Sequence, residues 1–420
     1  MILSRPAVIC RSLRNFNYRL WAGGALVSNI GSGMQRMAMD WLVLTQLTDH
    51  SAAAVGVVMA LQYGPQLALL PWTGSAADHL NQRKLLMATQ ATMGVLALLL
   101  GILTVTGAVQ LWQVYVLALL EGCAAAFDAP VRQTFVAELV GDADLPNAVA
   151  LNSISFTAGQ MVGPAVAGLT IATIGTGWAF VSNGISFLAV LISLTTLRRH
   201  ELRSNVRATR RKGSFVEGLR YVAGRPDLLA ILVMLFLIGT FGLNFPIFIS
   251  TMAVGVLHTD ARGFGLLSSI LAVGTLTGAL IAASRSHVGF NTLLTGAAVF
   301  GLGCTFAALA PGYWSFAAAL AVMGLAVMTL TNASNGLMQL STEPSLRGRV
   351  MALRIGIALG GTPVGAPTVG WIADHFGPRW ALGVGAGAGF AATTVAAVYL
   401  LKAAPRSRPI RRVVKGDPES

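Results

Sequence analysis

Long apolar runs alternate with short polar interruptions along the 420-residue chain, and most runs are about 20 residues long. At 1.5 Å per residue that length matches the ~30 Å hydrocarbon core of a bilayer, so each run predicts a transmembrane helix. Twelve are expected, at 20–47, 52–77, 84–106, 111–129, 147–173, 178–197, 228–256, 264–285, 290–310, 313–340, 350–373 and 380–402. The expected class is an all-α membrane protein. A polar, basic stretch between the sixth and seventh spans divides it into a six-helix bundle over 1–197, a linker over 198–227, a second six-helix bundle over 228–402 and a basic tail over 403–420. An even number of spans puts both termini on one side.

Composition supports the membrane reading. Hydrophobic residues make up 55% of the chain, charged residues only 11%, and the mean hydropathy is +0.68. A soluble chain with so little charged surface would aggregate. The net charge of +13 would point to nucleic acid in a soluble protein, but the placement of the charges says otherwise. With the termini in the cytoplasm, all but three of the 29 Lys and Arg fall on the cytoplasmic face, among them Arg347, Arg349 and Arg354 after the tenth span. Arg262 and Arg379 lie on the other face and Arg36 within a span. This is the positive-inside bias, and it predicts a multi-pass protein of the cytoplasmic (inner) membrane with both termini inside. No nucleic-acid partner is expected. "RRHELRSNVRATRRK", residues 198–212, reads first as a cytoplasmic linker, with anionic lipid as a further contact.

Other chemistries find little support. The N-terminal "MILSRPAVICRSLRNFNYRL" breaks its short apolar run with charges, against a cleaved signal peptide. Cys10, Cys123 and Cys304 have no metal-ligand or disulfide-framework spacing. The six histidines form no HExxH, and no GxxxxGK[ST] phosphate loop is present. The expectation is therefore no metal, no cofactor and no enzymatic activity.

The two halves share residues at an offset of 202. Trp112 matches Trp314, Trp178 matches Trp380, Gly122 matches Gly324, Gly163 matches Gly365 and Gly168 matches Gly370. With eight tryptophans in the chain, two coincident pairs far exceed chance. The expected halves are parallel pseudo-repeats about an axis along the membrane normal.

Several segments carry a family likeness. "FDAPVRQTFVAELVGDADLPNAVALNS" (127–153) and "LRGRVMALRIG" (346–356) resemble the segments joining helices 4 and 5 and entering helix 11 in major facilitator exporters of the enterobactin-exporter type. "GSAADHLNQRK" (74–84) resembles that superfamily's signature loop between helices 2 and 3, with His79 at the usual arginine position and Gln82 at a usual basic one. The resemblance covers nearly the whole chain and implies the major facilitator fold. It also implies a cytoplasmic gate motif of Gly74, Asp78, Arg83, Lys84, Asp128 and Arg132, in which Asp78 bonds a facing helix N-terminus or Arg132. "AGQMVGPAVAG" (158–168) resembles the antiporter motif of helix 5. Gly159, Gly163 and Gly168 would let that helix approach one in the other half, and Pro164 would bend it.

Charged groups inside spans are costly and therefore functional candidates. Glu121 lies ten residues into helix 4, about 15 Å deep at 1.5 Å per residue, where a carboxyl can exchange a proton. Arg36 and Asp40 share a face of helix 1 at i,i+4 and either neutralise each other or join Glu121 in proton coupling. The helix 4 arginine of many relatives is Ala118 here and the helix 5 arginine is Gln160, so coupling rests on Glu121. Gln62, Gln66, Asn152, Asn244, Asn332 and Asn335 are candidates to line a substrate cavity. Together these features predict a monomeric secondary exporter embedded in membrane lipid, exchanging protons for an amphipathic small molecule such as a drug, macrolide or siderophore. An uptake carrier or lipid transporter of the same fold is the alternative, with a channel or non-transporting sensor further off.

Overall fold

The structure, a computed structural model, describes residues 11–70, 72–73, 76, 80–141, 143–202, 215–284, 289–343 and 346–403. Among these the regular structure is helical. Its helices are α1 (Phe16–Leu42), α2 (Ala52–Ala68), α3 (Gln82–Val105), α4 (Leu111–Leu139), α5 (Leu145–Ile174), α6 (Thr176–Thr196), α7 (Phe215–Ala223) and α8 (Pro226–Leu237). They continue as α9 (Phe245–Gly255), α10 (Ala261–Ser284), α11 (Phe290–Leu309), α12 (Tyr313–Ser341), α13 (Arg347–Gly360), α14 (Thr362–Phe376) and α15 (Pro378–Ala403). Ten spans among the described residues are long and apolar enough to cross a bilayer, against the twelve expected. In two of these ten, α8 runs on into α9 and α13 into α14. Outside this set are the nine-residue α7, α1, which carries Asn17, Arg19, Asn29, Gln35, Arg36 and Asp40 among its apolar residues, and α2, which has only 17 residues.

Local chemistry sets the helix ends. Asn15, Ser51 and Asn81 cap α1, α2 and α3 by accepting from the N–H groups of Tyr18, Ala54 and Lys84. Gly175 (φ 101°) and Gly377 (φ 98°) stop α5 and α14 in a backbone region closed to most side chains.

Four elements differ from the sequence expectation. Helix α4 runs ten residues past 129 despite Pro130, because Val131, Phe135, Val136 and Leu139 bury against α1 and α6. The seventh expected span is interrupted by a wide turn at Ile238–Gly242, after which Pro246 restarts it as α9. The eleventh breaks at Gly361, with Pro363 restarting it as α14. The two breaks touch: side chains added at Gly361 or Gly365 would collide with Thr240. Fourth, the linker contains a short amphipathic helix, α7, whose Gly218 packs on Arg349 at the start of α13.

Helices α1–α6 pack mainly on one another, as do α8–α15, and two seams join these groups: α2 against α13–α14, and α5 against α10. Within the first group α1 crosses α5 at backbone contact. A Cβ on Gly163 would lie 2.7 Å from Gly33 Cα, and one on Gly159 2.5 Å from Asn29 O. Most of the helix 5 glycine motif therefore binds α5 to its own group. Gly168, Pro164 and Met161 reach across, against Ala261, Gly265 and Ser269 of α10, whereas Gly159 and Gly163, expected to meet the other half, meet α1 instead.

Replacing Gly163 by Leu is expected to destabilise the protein by about 1–3 kcal/mol through overpacking. Gly23→Leu, whose added Cβ meets nothing within 4 Å, should leave the melting temperature unchanged. Thermal unfolding of the purified protein checks both.

Candidate functional site

Gly122 lets α4 lie directly on α2, since a Cβ there would sit 2.6 Å from Gln62 O. The close approach brings Gln62 Nε2 to 3.5 Å from Glu121 Oε2 and 3.3 Å from Met39 Sδ. Gln35 also reaches the Glu121 carboxyl, and its own Oε1 accepts from Asn183 at 2.6 Å. Arg36 acts through space on both Glu121 and Asp40 without a direct ion pair to either. Arg36, expected either to neutralise Asp40 or to share in coupling with Glu121, thus lies close enough to act on both carboxyls. Asp40 is buried, whereas Glu121 is ringed by protein yet keeps part of its surface accessible.

A second polar cluster ties four helices together. Asp128 is buried and accepts from Thr89 Oγ1 at 2.8 Å, Gln90 Nε2 at 2.7 Å and Arg132 Nε at 3.0 Å. Arg132 Nη1 donates to Asn29 Oδ1 at 3.1 Å, and Asn29 Nδ2 donates to Ser155 Oγ at 3.0 Å. The chain runs α3–α4–α1–α5. Gly74 and Asp78 lie outside the described residues. Arg132, expected to meet Asp78, has its guanidinium bonded to Asp128 and Asn29. Arg83 donates to Leu194 O at 2.6 Å, capping the C-terminus of α6, and Lys84 is exposed.

The seams are tight at one end and splayed at the other. At the end carrying the α1–α2 and α5–α6 connections, Gly56 and Gly370 put α2 and α14 in backbone contact, Gly168 and Gly265 do the same for α5 and α10, and Trp41 stacks on Phe264 at 5.9 Å. Ser269 Oγ donates across to Met161 O at 2.7 Å. Toward the other end, which carries the Arg11–Arg14 turn and the α6–α7 connection, contacts loosen. A Cβ on Gly64 would reach only Pro363 at 3.9 Å, one on Gly360 only Leu67 at 3.6–3.8 Å, and Ile154, Phe156, Ile355 and Leu359 are exposed. The apolar core follows the same pattern. One cluster joins Val55, Ala167, Phe264 and Ala366 across both groups, while a second, with Tyr18, Phe135 and Leu194, belongs to the first group alone. The two helix groups are therefore in closer contact at the far end than at the arginine-rich end.

Of the cavity candidates, Gln62 of α2 sits beside Glu121, Gln66 one turn on donates to Gln62 O at 3.3 Å, and Asn152, Asn332 and Asn335 are half-buried on α5 and α12. Asn335 accepts from Gln339 at 3.0 Å. Asn244 does not line a cavity: it is fully buried, and its amide donates to Thr240 O at 2.9 Å inside the break before α9. Arg354, counted with the loop charges, lies within α13 and is buried, donating to Thr331 O at 2.9 Å and Ser334 Oγ at 3.1 Å. Its place inside the apolar run 350–373 was the available signal. Among the described residues no cluster of three or more His, Cys, Asp or Glu could hold a metal.

A family model for transmembrane secretion effectors of the major facilitator superfamily matches residues 12–408. The chain belongs to that family. This member is 30% identical to the multidrug efflux pump Tap of Mycolicibacterium fortuitum over 84% of its own length and 88% of the pump's. It is 23% identical to the enterobactin exporter EntS of Escherichia coli O1:K1 over 84% of both chains. Its fold matches a bacterial homologue of the human lysosomal transporter Spinster, solved inward-facing and unoccupied, with a TM-score of 0.68 at 15% identity over 93% and 95% of the two chains. The major facilitator fold and transporter character of this family member are consistent with two helix groups joined along two seams.

Asp128→Ala would leave the Arg132 guanidinium without its carboxylate in a largely buried setting, and breaking such a pair costs about 3–5 kcal/mol. Thr89→Ala removes one of several donors and should cost about 1 kcal/mol. Chemical or thermal unfolding in detergent checks the order.

Proposed function

We propose that this protein is a twelve-helix secondary exporter that carries amphipathic small molecules, drugs, macrolides or siderophores, out of the cytoplasm in exchange for protons. In this reading α1 and α2 span the membrane with the other ten, making bundles over 1–197 and 228–402 that rock against each other. Both termini and the basic linker face the cytoplasm of the inner membrane, the positive-inside orientation. The working unit is a monomer in lipid.

The feature that supports the proposal is the pair of seams closed most tightly at one end, with Glu121 half-buried beside α2. A channel needs a continuous path, but both seams close at the far end. A carrier needs a compartment open to one side at a time and a group that responds to the coupling ion, and Glu121, flanked by Gln35, Gln62 and Arg36, supplies a protonatable one. Likeness to Tap over 84% of the chain favours efflux over uptake. Substrate and proton compete in this scheme. Protonated Glu121 leaves Arg36 paired electrostatically with Asp40 alone, and the site then loses an anionic partner for a cationic or hydrogen-bonding substrate.

Glu121→Gln keeps the shape but cannot exchange a proton. Efflux driven by a pH gradient in proteoliposomes is expected to fall at least tenfold, while substrate exchange without a gradient persists. Full gradient-driven efflux by the variant would remove Glu121 from the mechanism. Flux in inverted vesicles decides between export and uptake.

A further inference from the structure

Helix α14 ends in "GWIADHFGP", residues 370–378, where Gly377 and Pro378 force the stop three residues after Asp374. A carboxylate in a last helical turn is badly placed for its own helix, whose C-terminus already carries partial negative charge. Asp374 is instead aimed across the α2–α14 seam. Its Oδ1 accepts from the Ala52 N–H at 2.6 Å, and its Oδ2 accepts from the Ala53 N–H at 3.0 Å and from Ser51 Oγ at 2.9 Å. Two backbone donors that the first turn of α2 would leave unpaired are thus satisfied by the other helix group, and the helix dipole adds to the attraction.

The arrangement is one-sided. The equivalent place in the other seam, 202 residues earlier, is Ala172. There α10 is capped locally, its Gly263 N–H donating to Asp260 Oδ1 at 3.0 Å, so no charge crosses. Beside Asp374 lies a cavity of about 400 Å³ lined by Asp49, His50, Ser51, Thr251 and Pro378 among others, and Asp374 itself is exposed. Solvent therefore reaches the carboxylate, which keeps the bond reversible.

We propose that Asp374 is the latch of the far, extracellular gate: its triple bond to the start of α2 holds that end shut, and its release is a required step in opening outward. This rests on the alternating-access reading above. Asp374 touches no substrate and acts as a positioning residue. The α5–α10 seam, held by Gly168, Gly265 and the Ser269 hydroxyl, stays in contact as the pivot while the α2–α14 seam parts.

The test measures the far-end distance by spin labels on Ala108→Cys and Pro311→Cys, exposed turn positions in the two groups, with the native cysteines replaced by alanine. The labelled parent protein in liposomes should shift part of its population to longer distances when pH or substrate is changed. Asp374→Ala and Asp374→Asn should raise the long-distance to short-distance ratio about tenfold, equivalent to about 1.4 kcal/mol, and slow net efflux. Ser51→Ala, which deletes one donor to Asp374 together with the local cap of α2, should move the ratio the same way by a smaller factor. Asp260→Ala, which removes a local cap only, should not move it. A parent protein that opens normally with Asp374 variants indistinguishable from it, or an equal shift from Asp260→Ala, overturns the latch and leaves alternating access standing. A far end that never opens in any variant or condition overturns both.

Discussion

Backbone contact through glycine at one end of two seams is the constraint on which the molecule depends. Within a bilayer, lipid tails are as apolar as leucine, so no hydrophobic force drives one helix group onto the other. Cohesion comes from dispersion over close-packed backbones and from a few polar bonds. Gly56, Gly168, Gly265 and Gly370 supply the first; Asp374 on α2 and Ser269 on Met161 supply the second. Such contacts are short-ranged, so a small rotation that separates them loses most of their energy at once. A seam made this way is stable when closed and easily parted, which suits a carrier that must visit two states.

Ionisable groups are distributed unevenly between the two helix groups. The first contains Arg36, Asp40, Glu121, Asp128 and Arg132 in the interiors of its helices, arranged as one trio without a direct ion pair and one cluster in which Asp128 accepts three side-chain hydrogen bonds. The contrast reflects two roles. Asp128 is tied by donors on α3 and α4 and belongs to the rigid frame of the group. Glu121 has a long hydrogen bond from Gln62, an amide from Gln35 and some accessible surface, so it is held less firmly than Asp128. Among the described residues of the other group the buried charge is Arg354, bonded to a carbonyl and a hydroxyl through one nitrogen, with its Nε unpaired.

Breaks in the helices serve the same economy. The wide turn at Ile238–Gly242 and the stop at Gly361 meet at Thr240, where both helices lack regular bonding. Irregular backbone at membrane depth is tolerated where neighbouring protein satisfies or shields it, and here each break shields the other, with Asn244 donating into the gap.

The apolar periodicity and the glycine and proline stops made the membrane class, the helix order and the family motifs legible in the sequence, because lipid imposes helix on any apolar run of sufficient length. Glu121 was legible for the same reason: a charge in such a run is conspicuous. What the glycines face was not legible. A small residue announces close approach without naming the partner, and only the packed structure assigned Gly163 to α1 and Gly168 to α10. The continuation of α4 past Pro130 and the burial of Arg354 were likewise decided by tertiary contacts, which supply the apolar cover and hydrogen-bond acceptors that local pattern cannot specify. Asp374 makes the distinction plain: the sequence shows an acid before a Gly-Pro stop, and only the fold brings the first turn of a helix 320 residues away to meet it.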